Sequence, residues 1–192
     1  QFIERQMPLA YGGFGFASSR ADALVSLTSL DPELPGGVGE SFSQFFQSLR
    51  DATLHPANPT AREPILAGAK QLALAFNSAG RELQNLRDGI DRNLEARAVE
   101  ATTLAQEVAS LNDAINAAEV GGSSPNDLYD SRANAVNELA TLIGAIPVYD
   151  SQGNVNMRLP GGADLVVGTV AYGVSTLPNA ANRGHVDLVS VS

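Results

Sequence analysis

Apolar and small residues recur along the middle of the chain at Ile65, Ala69, Leu72, Phe76, Ala79, Leu83, Leu86, Ile90, Leu94, Ala98, Ala101, Leu104, Val108, Leu111, Ile115 and Ala118. Steps of three and four keep one face of a helix apolar over many turns. Three successive steps of four between Leu86 and Ala98 make a stutter, which relaxes left-handed supercoiling. The pattern predicts a single helix from Thr60 to about Glu119, a rod of roughly 90 Å at 1.5 Å per residue. Ordinary globular helices run to only about 11–12 residues. A helix this long belongs in a coiled coil or an elongated bundle.

Local chemistry marks its ends. Thr60 and Glu63 have capping-box spacing, Pro64 falls in the first turn, and Gly121-Gly122 stops the helix. Gly68, Gly80 and Gly89 lie inside it, each about 1 kcal/mol less favourable than alanine. They read as tolerated weakness in a packed helix, or as sites of close helix approach or bending.

Before this rod, Phe2, Leu9, Phe16 and Leu24 recur at near-heptad intervals and favour helix from Phe16 onward. Pro8 and Gly12-Gly13-Phe14-Gly15 interrupt the pattern, so residues 8–15 read as a loop or a weakened join. The glycine run lacks the spacing, lysine and preceding strand of a phosphate-binding loop. Residues 31–39 are a turn-rich connection. Ser41 and Gln44 form a second capping-box signal ahead of Phe42, Phe45, Phe46 and Leu49, an apolar stripe expected to be core. That helix should end near His55, which reads as a cap or surface residue.

After the rod, Ser124-Pro125-Asn126-Asp127 opens a helix of about 20 residues, with Ser124 as its cap and Gly144 as its stop. Leu128, Ala135, Val136, Leu139, Leu142 and Ile143 supply its buried face. A short connection folds it back antiparallel. Leu111, Ile115, Leu128 and Val136 should then share one cluster. Asp127, Asp130 and Arg132 read as capping charge and surface pairing. From Ile146 the period changes to two: a hairpin around 150–154, then strands at Asp164–Val167, Val170–Thr176 and His185–Val191. The fold class is α+β, an elongated antiparallel helical bundle with one very long helix (residues 1–145), followed by a small β-rich region (146–192) that begins an outer domain.

Composition narrows the function. The 192 residues carry 12 Lys+Arg against 21 Asp+Glu, a net charge of −9, which disfavours a nucleic-acid partner. No apolar 18-residue run or basic cluster is present for a membrane. Absence of cysteine removes disulfide and thiol chemistry. His55 and His185 are distant in sequence, and no HExxH, CxxC, GxSxG or EF-hand pattern occurs. Catalytic, cofactor-binding and metal-binding residues: none is assigned. No cofactor is expected, and the chain does not read as an enzyme.

Several stretches in order resemble a known family: the Ser41–Leu49 helix, Asn58-Pro59, Ala75-Phe76-Asn77, Val108-Ala109-Ser110-Leu111-Asn112-Asp113-Ala114-Ile115, and Pro125-Asn126-Asp127-Leu128-Tyr129-Asp130-Ser131-Arg132. Together they are similar to the first flagellar hook-associated proteins, the hook–filament junction family. The resemblance covers nearly all of residues 1–170. It departs at Pro8 and the glycine run, where a continuous helix would be expected.

The resemblance implies an extracellular structural subunit of the bacterial flagellum, secreted through the flagellar type III export apparatus. Its partners would be neighbouring copies, hook protein and other hook-associated proteins, with an export chaperone acting on a C-terminal segment outside this chain. The start at Gln1 and a strand reaching Ser192 suit a fragment lacking the terminal segments, expected to be monomeric in dilute solution. The charged face with Arg81, Arg87, Asp88, Asp91, Arg92 and Arg97 reads either as a contact surface or as solvated. Alternative readings are a non-enzymatic coiled-coil adaptor, or another axial protein such as the third hook-associated protein or flagellin.

Overall fold

The computed structural model describes residues 2–28, 35–54, 60 and 62–191. Four helices, α1 (Phe2–Thr28), α2 (Val38–Leu54), α3 (Arg62–Val120) and α4 (Asn126–Ile143), lead into the strands. These are β1 (Ile146–Tyr149), β2 (Val155–Arg158), β3 (Asp164–Val167), β4 (Val170–Ala171), β5 (Gly173–Pro178) and β6 (Val186–Val191). The α+β class and the very long helix agree with the sequence pattern. Two compact units are present, Gln1–Ala21 with Ile90–Ser192, and Asp22–Gly89.

Helix α3 runs unbroken for 59 residues. Its end is a Schellman closure on Gly122 at φ +77°, a conformation that glycine adopts without a Cβ penalty. Gly122 N–H donates to the Glu119 carbonyl at 2.9 Å and Ser123 N–H to the Ala118 carbonyl at 3.0 Å. Gly144 closes α4 in the same left-handed region, its N–H donating to the Ala140 carbonyl at 2.8 Å.

Three helix starts or joins differ from expectation. Ser124 does not cap α4: the N-cap is Pro125 with no side-chain bond, and Asn126 N–H donates to the Ser124 carbonyl at 3.0 Å instead. Backbone closure replaces the hydroxyl there. Helix α2 starts at Val38, before the Ser41 signal, and Ser41 is buried inside it. The Glu40 carboxylate takes over the capping role by accepting from Gly36 N–H at 2.6 Å and from Gln44 at 2.9 Å. Helix α1 passes without a break through Pro8 and the glycine run. Close contact explains those glycines: a Cβ on Gly12 would stand 3.2 Å from the Ala140 carbonyl oxygen, and one on Gly15 only 2.0 Å from that of Thr141. The run lets α1 lie against the end of α4, and that packing overrides its poor helix propensity.

In the first unit, a core of small and branched residues joins α3, α4 and the strands. Ala101, Ala105 and Val108 of α3, Leu139 of α4 and Met157, Leu165 and Val166 of the strands are fully buried in one cluster. Val136 is buried in this cluster as expected and Leu111 lies at its edge, but Ile115, though buried, is outside it, and Leu128 is outside it and only half-buried. Strands β2 and β3 share this core with α3 and α4, and the core lies away from the exposed Gly121–Ser124 turn.

Strands β1 to β4 form an antiparallel sheet in sequence order, and β5 with β6 forms a separate two-stranded sheet. The β1–β2 hairpin pairs Ile146 with Arg158 and Tyr149 with Val155, as the alternation predicts. The expected strand at Val170–Thr176 is two strands. It breaks at Tyr172, whose N–H donates to the Leu165 carbonyl at 2.8 Å while the chain passes from one sheet to the other.

In the second unit, α2 meets α3 where a Cβ on Gly68 would stand 3.2 Å from Phe45 Cα. Phe42 and Phe46 stack at 4.5 Å between ring centroids, yet remain 50% and 43% exposed. The aromatic stripe expected as core is therefore a half-open surface. Leu54, Leu66 and Phe76 are exposed as well.

Candidate functional site

The most constrained group of polar side chains is buried between α3, α4 and the tips of two hairpins. Asn112 points from α3 into the sheet with no exposure. Its Nδ2 donates to the Val155 carbonyl at 3.0 Å and to the Gly168 carbonyl at 2.6 Å. Its Oδ1 accepts from Val155 N–H at 3.1 Å and from Arg132 Nη1 at 2.9 Å. Both amide hydrogens and two acceptor directions are used, the full capacity of an asparagine side chain. Arg132 Nη1 also donates to the Gly153 carbonyl at 3.1 Å, and its guanidinium lies 5.3 Å from the centre of the Tyr129 ring.

The turn around this hub is bound in the same way. Asp150 accepts from Gln152 N–H at 2.8 Å, Asn154 N–H at 2.9 Å and Asn154 Nδ2 at 2.9 Å. Asn116 of α3 donates to Asn154 Oδ1 at 2.9 Å, and Gly168 N–H donates to Asn156 Oδ1 at 2.6 Å. Burial pushes the Asp150 carboxyl up, but the hydrogen bonds from Asn154 and Gln152 and the charge of Arg132 outweigh it and hold its pKa below the usual value. Burial lowers the Arg132 pKa, against the pull of Tyr129, Tyr149, Glu119 and Asp150. A guanidinium stays charged through such a shift. Tyr129 donates to Glu119, and that bond raises its pKa.

A second set of ties holds the β5–β6 hairpin on α3. Thr102 Oγ1 accepts from Val174 N–H at 2.9 Å and lies 3.1 Å from the Val174 carbonyl, covering one outward edge position of β5. His185 Nδ1 lies 2.6 Å from Asp91 Oδ2. Arg97 donates to Asn93 at 2.7 Å and to the Leu142 carbonyl at 3.3 Å.

Chemically, these groups hold backbone. The donors of Asn112 end on hairpin carbonyls, and none of these bonds aims at a space where a substrate would sit. An open apolar groove of about 470 Å³ borders Gly12, Phe16, Leu142 and Pro160, and among the described residues no ionisable side chain lines it. Among the described residues no group of three or more His, Cys, Asp and Glu is placed to hold a metal ion, and no helix is long and apolar enough to cross a membrane. His55 lies outside the described residues.

Sequence reasoning placed Arg132 on the surface, and the structure corrects this: it is 7% exposed. The expected charged face divides too. Asp91 and Arg97 are taken up by the β5–β6 hairpin and α4, whereas Arg81, Asp88 and Arg92 face solvent. Sequence reasoning missed Asn112. Its signal was its place in the apolar row, four residues after Val108 and three before Ile115. Arg132 lies midway between Leu128 and Val136 and is the sole basic residue from 98 to 157.

The flagellar hook-associated protein FlgK helical-domain model matches residues 30–191. The chain belongs to this family. It is 26% identical over 183 residues to flagellar hook-associated protein 1 of Salmonella typhimurium, covering 94% of this chain and 33% of that protein. The Bacillus subtilis protein of the same name is 24% identical over 153 residues, 79% of this chain and 30% of that one. The structure of the flagellar hook junction protein FlgK from Burkholderia pseudomallei superimposes with a TM-score of 0.75 at 26% identity, covering 97% of this chain and 32% of that one. The chain thus spans about a third of these FlgK relatives. The stretches that carry the family resemblance include both Asn112 and Arg132, the two residues of the buried hub.

Proposed function

We propose that this chain is part of a structural subunit of the bacterial flagellum, forming the junction between hook and filament. The observation that carries the reading is the FlgK helical-domain match across residues 30–191. The buried hub supports it, since its polar groups are spent on holding strands to helices. Exposed apolar side chains at Phe42, Phe46, Leu66 and Phe76 suit a subunit that is covered by neighbouring protein after assembly. In this reading the subunit has no enzymatic activity and works extracellularly after flagellar export. Its partners are copies of itself, hook protein and other hook-associated proteins, with an export chaperone binding elsewhere in the full protein. Residues 1–145 form its elongated helical domain, and residues 146–192 begin its outer domain.

Deleting the gene for the full-length protein should leave hooks without filaments and release unpolymerised flagellin into the medium. The full-length gene should restore filaments. Normal filaments in the deletion strain would refute the junction role.

A further inference from the structure

We propose that α3 is locally soft between Gly80 and Gly89, and that this stretch lets the subunit yield along its longest element. From Arg62 to Arg97 no side chain of α3 is fully buried, the apolar row at Ile65, Leu72, Leu86 and Leu94 being only half-buried; the first fully buried one is Ala98. Helices in proteins owe most of their stability to packing of one face. This part of α3 therefore depends heavily on its own backbone bonds and on neighbouring pairs such as Gln84 with Asp88 at 2.8 Å.

The three glycines in it are not equivalent. Gly68 is explained by Phe45, since a Cβ there would stand 3.2 Å from the Phe45 backbone. At Gly80 and Gly89 a Cβ would meet nothing within 4 Å among the described residues. Packing does not require glycine at either position. Nor do the two form a groove for a partner helix. Nine positions at about 100° each put them on opposite faces. What remains is their effect on the helix, about fivefold in the local helix–coil equilibrium for each glycine relative to alanine.

The stretch is held at both sides. Phe45 packs on Gly68 before it, and Asp91 is bound to His185 just after it. The boundary between the two compact units also falls at Gly89 and Ile90. A helix anchored at both sides and weakened between them opens there first. The softness stands on the helix itself; its use as compliance at a junction rests on the function proposed above.

Hydrogen exchange followed by mass spectrometry on the full-length protein tests the softness. Amides of residues 80–90 should exchange at least about tenfold faster than those of 98–115. Gly80→Ala and Gly89→Ala should each slow that exchange about fivefold and leave 98–115 unchanged. Equal protection of the two stretches, or no local change in the double variant, overturns the proposal. In cells, the double variant should still build filaments but swim more slowly than wild type. Wild-type swimming would overturn the compliance role. Failure of the wild-type gene to restore filaments would instead refute the junction reading, while the exchange result would stand.

Discussion

Arg132 Nη1 and Asn112 Oδ1, on helices that run past each other, meet at 2.9 Å in the interior and together grip the turns of two β-hairpins. The helix pair and the sheet are thereby registered by polar bonds as well as by apolar packing. A buried polar network of this kind is stable only while every member is satisfied. Removing one partner leaves others without bonds.

Arg132→Leu and Asn112→Leu should each therefore destabilise the protein, by roughly 1–3 kcal/mol for each buried group left unsatisfied. The double variant should cost less than the sum, with a coupling of about 0.5–3 kcal/mol. Denaturant unfolding of the four proteins measures this. Strict additivity would mean that the two residues act separately.

The acid limb of stability should depend on Asp150. Its folded pKa lies below the unfolded value near 3.9, so the contribution of the ionised form is full above that value. It is lost as pH falls through the folded pKa. Asp150→Asn should thus be less stable than the parent at pH 6, with the difference shrinking below about pH 4. A difference that stays constant from pH 6 to pH 3 would contradict the assignment.

Thr102→Val keeps the shape but removes the hydroxyl that accepts from Val174 N–H. An N–H buried without a partner costs roughly 1–3 kcal/mol. Faster hydrogen exchange at Val174 than at Val155 in the variant is the expected signature. Unchanged protection at Val174 would show that another group takes over.

Gly15→Ala and Gly13→Ala form a matched pair. The first puts a Cβ 2.0 Å from the Thr141 carbonyl oxygen, whereas the second puts one in open space. Gly15→Ala should displace α1 from α4 and expose it to proteolysis. Gly13→Ala should leave the fold intact and gain up to about 1 kcal/mol in helix propensity. Equal behaviour of the two would rule out the close crossing.

Leu139→Ala, at a position with no exposure, should cost about 2–5 kcal/mol. Leu128→Ala should cost less, because Leu128 is half-buried outside the core cluster. The sequence pattern assigned both leucines to the same buried face. Helical periodicity shows which side of α4 is apolar. It does not show how far along that side the neighbouring elements reach.

The features determined by the sequence alone are those that local chemistry controls. The 59-residue α3, its closure on Gly122 and the β1–β2 hairpin follow from residue spacing and turn residues within a few positions of one another. Tertiary structure decided the fate of residues whose partners come from far along the chain. Asn112 is bound by groups 43 and 56 positions away, Arg132 is buried by the turn it holds, and Gly15 is explained by the carbonyl of Thr141. Phe42 and Phe46 show the converse: their helical spacing marks an apolar face, yet both rings remain about half-exposed. Periodicity records the polarity of a face, while burial depends on which surfaces meet it in space.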